Sequence, residues 1–383
     1  MNAGIFGNEI EVSHYDRDPN CPPEDFVEIH VSNPRLYEES TFSKYTVYMV
    51  HGIDIEGRFE SYRRYSDFLV LRNLLTNRWP GCLIAPLPPK KFIGNFSDAF
   101  IESRRKMLSY FLRQLVKHKF LYKSEEFHLF IRGAADFEER SNEIRWSIHD
   151  IAYTNERICT YDSDLKVTDK MLFQLIDDEK FLKQSLENLQ NLKKNVKSIL
   201  SEFITFQSLY SNMNERIKDI ESRYIGNMRD FRDGMIFPFD KIKLENPYKE
   251  LFDWIQREIL EIKSTLEAIS KKNYYENIKL QKEKQFCKIA KVKDKERIDN
   301  SNKIVCKNRD LATAISLKKE IEDITKILSI MIIRLCVQEL PDFKKNRVSA
   351  YEKMIKKFSE LALAGFHEIV NFQRNSQILG INE

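Results

Sequence analysis

The stretch Arg63-Arg64-Tyr65-Ser66-Asp67-Phe68 stands where one periodicity ends and another begins. Upstream, residues alternate or are β-branched and aromatic: Phe26 to Val31, Lys44 to Val50 (KYTVYMV) and Arg58 to Arg64 (RFESYRR). These read as three strands, the last two joined as a hairpin by the loop His51–Gly57. Downstream, Phe68, Leu69, Leu71, Leu74 and Leu75 recur at helical spacing until Trp79-Pro80 ends the helix. The junction thus sets two arginines and a tyrosine at a strand end, with the neighbours Arg63 and Arg64 facing opposite ways. Ala85-Pro86-Leu87-Pro88-Pro89-Lys90-Lys91 must be extended, because proline fixes its own φ and restricts the residue before it. A second helix runs through Met107, Leu108, Phe111, Leu112 and Leu115, and a shorter one covers Ser124 to Ile131.

Glycine and proline divide the 383 residues. Eight of eleven prolines and seven of eleven glycines fall within residues 1–133, and none of either lies between Tyr248 and Leu340. Such residues make turns and end helices, so a compact module precedes very long helices. Residues 1–24 carry acids and prolines but few large hydrophobes, and read as a disordered tail. The compact module occupies 25–135, a linker 136–165, and a helical region 166–378 with helices at about 168–235, 247–298 and 303–375. Leu182, Leu186, Leu189, Val196, Leu200, Phe203 and Tyr210 form the stripe of the first helix. Asn246-Pro247 starts the second, which Leu251, Trp254, Ile255, Ile259, Ile262 and Leu266 line. Ile315, Ile321, Ile324, Leu328, Met331 and Leu335 line the third, which Pro341 should kink or interrupt. Roughly 68 residues of helix extend about 100 Å, too long for one globular core, so the stripes must be buried in a bundle or a dimer. In the linker, Ile144, Ile148 and Ile151 with Trp146 suit either an interfacial amphipathic helix or a helix packed between the domains.

The longest apolar run, Ile327 to Cys336, is broken by Ser329 and Arg334 and is too short to span a bilayer. The acidic N-terminal stretch lacks the pattern of a secretory signal. The six cysteines stand too far apart for CxxC chemistry and read as reduced cytosolic thiols; no metal site or cofactor is expected. Neither GxSxG, GxxxxGK nor HExxH occurs, so no enzyme is expected.

Net charge is only +4, but it is unevenly placed. Residues 58–119 hold 13 Lys/Arg against four acids, and residues 279–309 hold 11 against four. Two basic patches, one per region, point to an anionic partner, either membrane phosphates or nucleic acid.

The order RRYSDF at 63–68, Pro86-Leu87-Pro88-Pro89-Lys90, and Arg104-Arg105-Lys106 with Leu108 resembles the phox-homology (PX) domain. A PX domain followed by three long helices resembles the PX-BAR sorting nexins; Glu339-Leu340-Pro341-Asp342-Phe343 and Arg347 look like that family's third helix. The PPKKF loop looks like that of the endosomal-recycling and autophagy-linked branch. The resemblance implies an α+β PX domain with a three-stranded antiparallel sheet, then an all-α BAR domain of three antiparallel helices forming a crescent dimer. It implies recognition of phosphatidylinositol 3-phosphate: Arg64 on the 3-phosphate, Tyr65 packed under the inositol, Lys90 on the 1-phosphate, Arg104 on the 4- and 5-hydroxyls. Arginine's planar fork suits a phosphate, at about 1.5–3 kcal/mol per charge-assisted bond. Arg63 reads as a surface or structural arginine, Lys91 as a general electrostatic contact at best, and Phe92 and Ile93 either enter the bilayer or pack inside the domain. At the tip of the helical region, Lys279, Lys282, Lys284, Lys288, Lys291, Lys293, Lys295 and Arg297 are the candidate contacts to lipid headgroups.

The implied function is endosomal sorting and recycling by a protein peripheral on early or recycling endosomes, reading lipid identity and membrane curvature together. The implied partners are phosphatidylinositol 3-phosphate membranes and a second sorting nexin, as homodimer or heterodimer; nothing in the sequence names cargo or coat proteins. A coiled-coil scaffold that uses PX only for targeting is the alternative. A basic helical protein binding nucleic acid ranks behind both, and nucleic acid is not the expected partner.

Overall fold

The computed structural model describes residues 27–40, 43–90, 97–133, 136–158, 165–224, 246–296 and 304–378. The tail read at 1–24, the residues Lys91, Phe92 and Ile93, and Arg297 lie outside them. The chain forms two compact units, one from Met1–Glu179 with Lys263–Leu340, the other from Lys180–Ile262 with Pro341–Glu383.

The first unit opens with an antiparallel sheet of β1 (Glu28–Ser40), β2 (Ser43–Asp54) and β3 (Gly57–Arg64), in that order. The His51–Gly57 loop read from sequence is shorter than expected. β2 continues to Asp54, which pairs with Gly57, leaving Ile55 and Glu56 as the turn. Gly57 takes φ +105°, which an L side chain rarely adopts. β1 runs on through a register shift between Ser32 and Arg35, where Asn33 has φ +44°.

On this sheet sit α1 (Tyr65–Arg78), α2 (Asp98–Leu115), the short α3 (Lys119–Tyr122) and α4 (Glu125–Arg132). Their apolar residues close one core: Phe68, Leu71, Leu75, Leu108, Phe111, Leu112, Phe127 and Phe130 are almost fully buried. Each such side chain stabilises by about 1.5–3 kcal/mol. Phe130 meets Phe68 edge-on at 4.9 Å and Phe137 at 5.2 Å. The Ser124 hydroxyl accepts from the Phe127 amide and caps α4 at its start. Arg63 caps the other end. It is 1% exposed and donates to the carbonyls of Phe130 (2.8 Å), Gly133 (2.8 Å) and Leu129 (3.3 Å). The structural reading of Arg63 therefore holds, and a cation at helix carbonyls is the favourable arrangement.

The linker forms α5 (Phe137–Ser141) and α6 (Ile148–Arg157), not one helix. Ile144 precedes α6, so the three isoleucines share no helical face. Ser147 and Asp150 cap α6 reciprocally. α6 packs on α9 (Ile304–Arg334) through His149 to Asp323 (3.0 Å), Glu156 to Lys326 (3.1 Å) and the buried Asn155, whose Oδ1 accepts from Arg334 at 3.0 Å. Of the two readings of the linker, the packed one describes it.

The long helices are α7 (Asp169–Tyr224), α8 (Pro247–Glu296) and α9, then a π-helical turn Leu335–Glu339 leading into α10 (Leu340–Ile378). The interruption expected at Pro341 takes this form. A proline has no N–H to donate and its ring crowds the carbonyl four residues back, so the helix widens just before it. In the second unit Val196 of α7 packs with Ile255 and Ile259 of α8, flanked by Leu186, Leu189, Leu200, Leu251 and Trp254. α10 joins them through Arg347 to Glu258 (3.1 Å), Tyr351 beside Trp254 (5.8 Å) and Phe358 against Tyr248 (5.5 Å). Most of the third stripe is likewise buried, but Ile315 is 62% exposed.

Candidate functional site

Three segments of the first unit converge: the β3–α1 junction, the proline-rich strap 86–90, and the first turns of α2. Arg64 ends β3 and, as the residue capping α1, donates its backbone N–H to Asp67 Oδ2 at 2.8 Å. Its guanidinium, half-exposed, reaches Glu138 Oε2 of α5 through Nη2 at 2.9 Å and lies 3.6 Å from Asp67 Oδ1 through Nε. Asp67 is buried, and desolvation raises its pKa even though Arg64 pulls the other way.

Tyr65 opens α1 and its hydroxyl donates to the Pro88 carbonyl at 2.6 Å. The Arg104 guanidinium carbon lies 4.4 Å from the Tyr65 ring centre and 4.4 Å from that of Phe100. The tyrosine thus holds both the strap, by its hydroxyl, and Arg104, by its ring. Arg104 is 8% exposed, and its Nη2 donates to the Pro89 carbonyl at 3.4 Å. Its Nε is buried with no hydrogen-bond partner among the described residues. A buried charged donor left unmade is costly, and burial lowers the pKa of this guanidinium. Beside it, the Tyr48 hydroxyl is also buried and interacts with Arg104; burial pushes its pKa to about 12 against the opposing charge and hydrogen bonding of Arg104. Lys90 follows Pro89 directly and is exposed at the end of the strap.

Tyr65 and Arg104 are therefore in contact, Arg64 is the neighbour of Tyr65, and Lys90 ends a strap bonded to both Tyr65 and Arg104. Glu138, Phe100 and Tyr48 were not singled out in the sequence. Phe100 stands one helical turn before Arg104, a spacing that could have flagged it. Glu138 carries no such signal, since it lies 74 residues from Arg64.

At the second basic patch, Lys282 pairs with Glu320 of α9 at 2.7 Å and Lys279 with Glu283 at 4.0 Å. Lys284 and Lys288 are exposed. The side chains of Lys291, Lys293 and Lys295 lie outside the described residues, as Arg297 does. Among the described residues no helix is long and apolar enough to cross a membrane.

The PX domain family model matches residues 52–133. Sorting nexin-3 of Neurospora crassa is 38% identical over 104 residues, covering 26% of this chain and 73% of that protein. The chain belongs to the sorting nexins. Sorting nexin-4 of Eremothecium gossypii is 23% identical over 356 residues, covering 78% of this sorting nexin and 86% of that one. The vacuolar protein sorting-associated protein vps5 of Schizosaccharomyces pombe is 39% identical over 118 residues, which span 29% of this chain and only 20% of vps5. The solved SNX-BAR Mvp1 tetramer aligns with 89% of this chain and 99% of its own, at 17% identity and a TM-score of 0.49. A PX module is followed by helices of 50 residues and more, the order of parts that the sequence leads one to expect of a PX-BAR sorting nexin.

Proposed function

We propose that this sorting nexin recognises phosphatidylinositol 3-phosphate through a PX module at 25–135. A linker at 136–165 joins it to BAR helices at 166–378, which sense or impose curvature on early or recycling endosomes as a crescent dimer. The observation that carries the lipid reading is Arg104: a cation held between two rings, with a buried Nε lacking a described partner, beside the strap that ends in Lys90. In this reading Arg64 takes the 3-phosphate, Arg104 the ring hydroxyls and Lys90 the 1-phosphate. Arg104 covers one side of the Tyr65 ring, so Tyr65 meets the inositol with its other face or its edge.

Liposome co-sedimentation tests the reading, comparing phosphatidylinositol 3-phosphate with its 4-phosphate isomer at two vesicle diameters. Preference for the 3-phosphate and for small vesicles is expected. Selectivity without a size preference favours the scaffold alternative, and indifference to phosphate position overturns the pocket.

Glu138 occupies a guanidinium nitrogen that a phosphate would need. An exposed pair of this kind is worth at most about 1 kcal/mol, so Glu138→Gln should tighten binding to 3-phosphate vesicles by about two- to fivefold. An unchanged affinity would show that the carboxylate moves aside without cost.

The dimer reading rests on α7 and α10. Leu192, Ile199, Phe206, Met213 and Ile220 recur every seventh residue of α7 and are all exposed, Met213 least at 38%. Val348, Tyr351, Ile355, Phe366 and Val370 of α10 are exposed as well. A seven-residue apolar seam suits a helix of a second sorting nexin, whether identical or different. Changing both Ile199 and Phe206 to Glu should reduce the mass in sedimentation equilibrium from two chains to one. Persistence of the dimer would move the interface elsewhere.

A further inference from the structure

We infer that α8 sets the affinity of the lipid site from a distance: Ser264 and Glu267, acting through Arg72, position the strap that carries Lys90. The inference rests on the pocket reading above. The four residues before the strap are held one after another by long-helix or α1 side chains. Cys82 Sγ accepts from Arg334 Nη1 of α9 at 3.0 Å, and the Leu83 amide donates to Glu339 Oε2 in the π-helical turn at 3.2 Å. The Ile84 carbonyl accepts from Ser264 Oγ, and the Ala85 carbonyl from Arg72 Nε at 3.0 Å. Arg72 belongs to α1, but its Nη2 donates onward to Ser264 Oγ (2.9 Å) and Glu267 Oε2 (2.6 Å). One guanidinium therefore ties the strap's anchor to α8 by three bonds. Just upstream, Gly81 sits at φ +84° against Met331 of α9, so close that a Cβ there would lie 2.6 Å from the methionine side chain.

Beyond Ala85 the chain has little freedom to absorb a shift. Pro86, Pro88 and Pro89 fix their own φ and restrict the residues before them. The carbonyls of Pro88 and Pro89 then meet Tyr65 and Arg104. A displacement at Ile84 or Ala85 is carried into the very carbonyls that order the pocket, and into Lys90 behind them. The bonds of Ser264 and Glu267 among the described residues go to Arg72 and the Ile84 carbonyl rather than to a pocket side chain, so they are positioning residues. Coupling of this kind is reciprocal: headgroup binding must tighten the hold of α8 on the strap by the same factor.

The test uses the full chain and soluble dibutanoyl phosphatidylinositol 3-phosphate, read by calorimetry. Ser264→Ala and Glu267→Ala should each weaken binding by about three- to tenfold, and Glu267→Gln, which keeps an acceptor oxygen for Arg72, should restore most of the loss. Binding to phosphatidylserine vesicles without phosphoinositide should not change, which a general loss of structure would not allow. Hydrogen exchange on the wild type gives an independent reading, with slower exchange of the amides around 83–87 and along α8 near 264–267 when the headgroup is added. Wild-type affinity in both alanine variants, or exchange that ignores the headgroup, overturns the inference. Arg64→Ala runs beside them. If it loses the headgroup while the α8 variants bind like wild type, the pocket stands and only the coupling falls; if wild type itself does not bind, both fall.

Discussion

Under the proposed reading, Arg64→Ala should abolish selective binding to vesicles bearing phosphatidylinositol 3-phosphate and leave the fold intact. A guanidinium fork on a phosphate makes up to two charge-assisted bonds of about 1.5–3 kcal/mol each, so the loss is on the order of a hundredfold or more. The cost to stability is small for a reason visible in the structure. The side chain is half-exposed and its ion pair with Glu138 is a surface pair, worth about 0–1 kcal/mol. The bond that caps α1 comes from the Arg64 backbone N–H to Asp67 and survives the substitution. Co-sedimentation against 3- and 4-phosphate vesicles, with a thermal melt of the same protein, checks both halves. Retained selectivity would remove Arg64 from the phosphate. Its neighbour behaves oppositely, since Arg63 is buried on three helix-end carbonyls and contributes to folding.

The largest effect on stability is expected at Glu126. This carboxylate is fully buried and both its oxygens are used: Oε2 accepts from Arg78 Nη1 at 2.7 Å and Oε1 from Trp146 Nε1 at 2.9 Å. Arg78 in turn lies 3.7 Å from the Trp146 ring centre, and its backbone carbonyl accepts from Asn155 of α6. The cluster fastens the linker to α1 and α4. Removing one partner of a buried pair leaves an uncompensated charge and typically costs about 3–5 kcal/mol. Glu126→Ala should therefore lower the melting temperature by roughly 10 °C, at about 2–4 °C per kcal/mol for a unit of this size. Replacing Glu126 and Arg78 together by leucine should recover much of the loss, because no charge is then left unpaired. A drop of only a degree or two in the single variant would show that water or a rearranged Arg78 satisfies the site.

The two substitutions fall on residues of unequal visibility in the sequence. Arg64 is legible because RRYSDF, the proline strap and Arg104 are recognisable in their order and spacing. In the sequence, Glu126 reads only as part of a short helix. Its burial depends on Arg78 and Trp146, 48 and 20 residues away, and one sequence does not say which acid meets which base. The linker shows the same limit: its isoleucine spacing fitted a membrane-lying helix as well as a packed one. Buried contacts from Asn155 and Ala152 make it a packed one.

Strand alternation, helical stripes, prolines and caps are local chemistry, repeated within a few residues, and they reveal themselves to a reader of the chain alone. The hairpin, the proline-rich strap and the interruption near Pro341 all follow from them. Folding in three dimensions is what sets Glu138 on Arg64, orders Arg104 between Tyr65 and Phe100, and pins residues 82–85 to α8, α9 and the π-helical turn. Most of these contacts join side chains dozens to hundreds of residues apart. Their energies depend on burial and distance, which exist only once the chain has closed on itself.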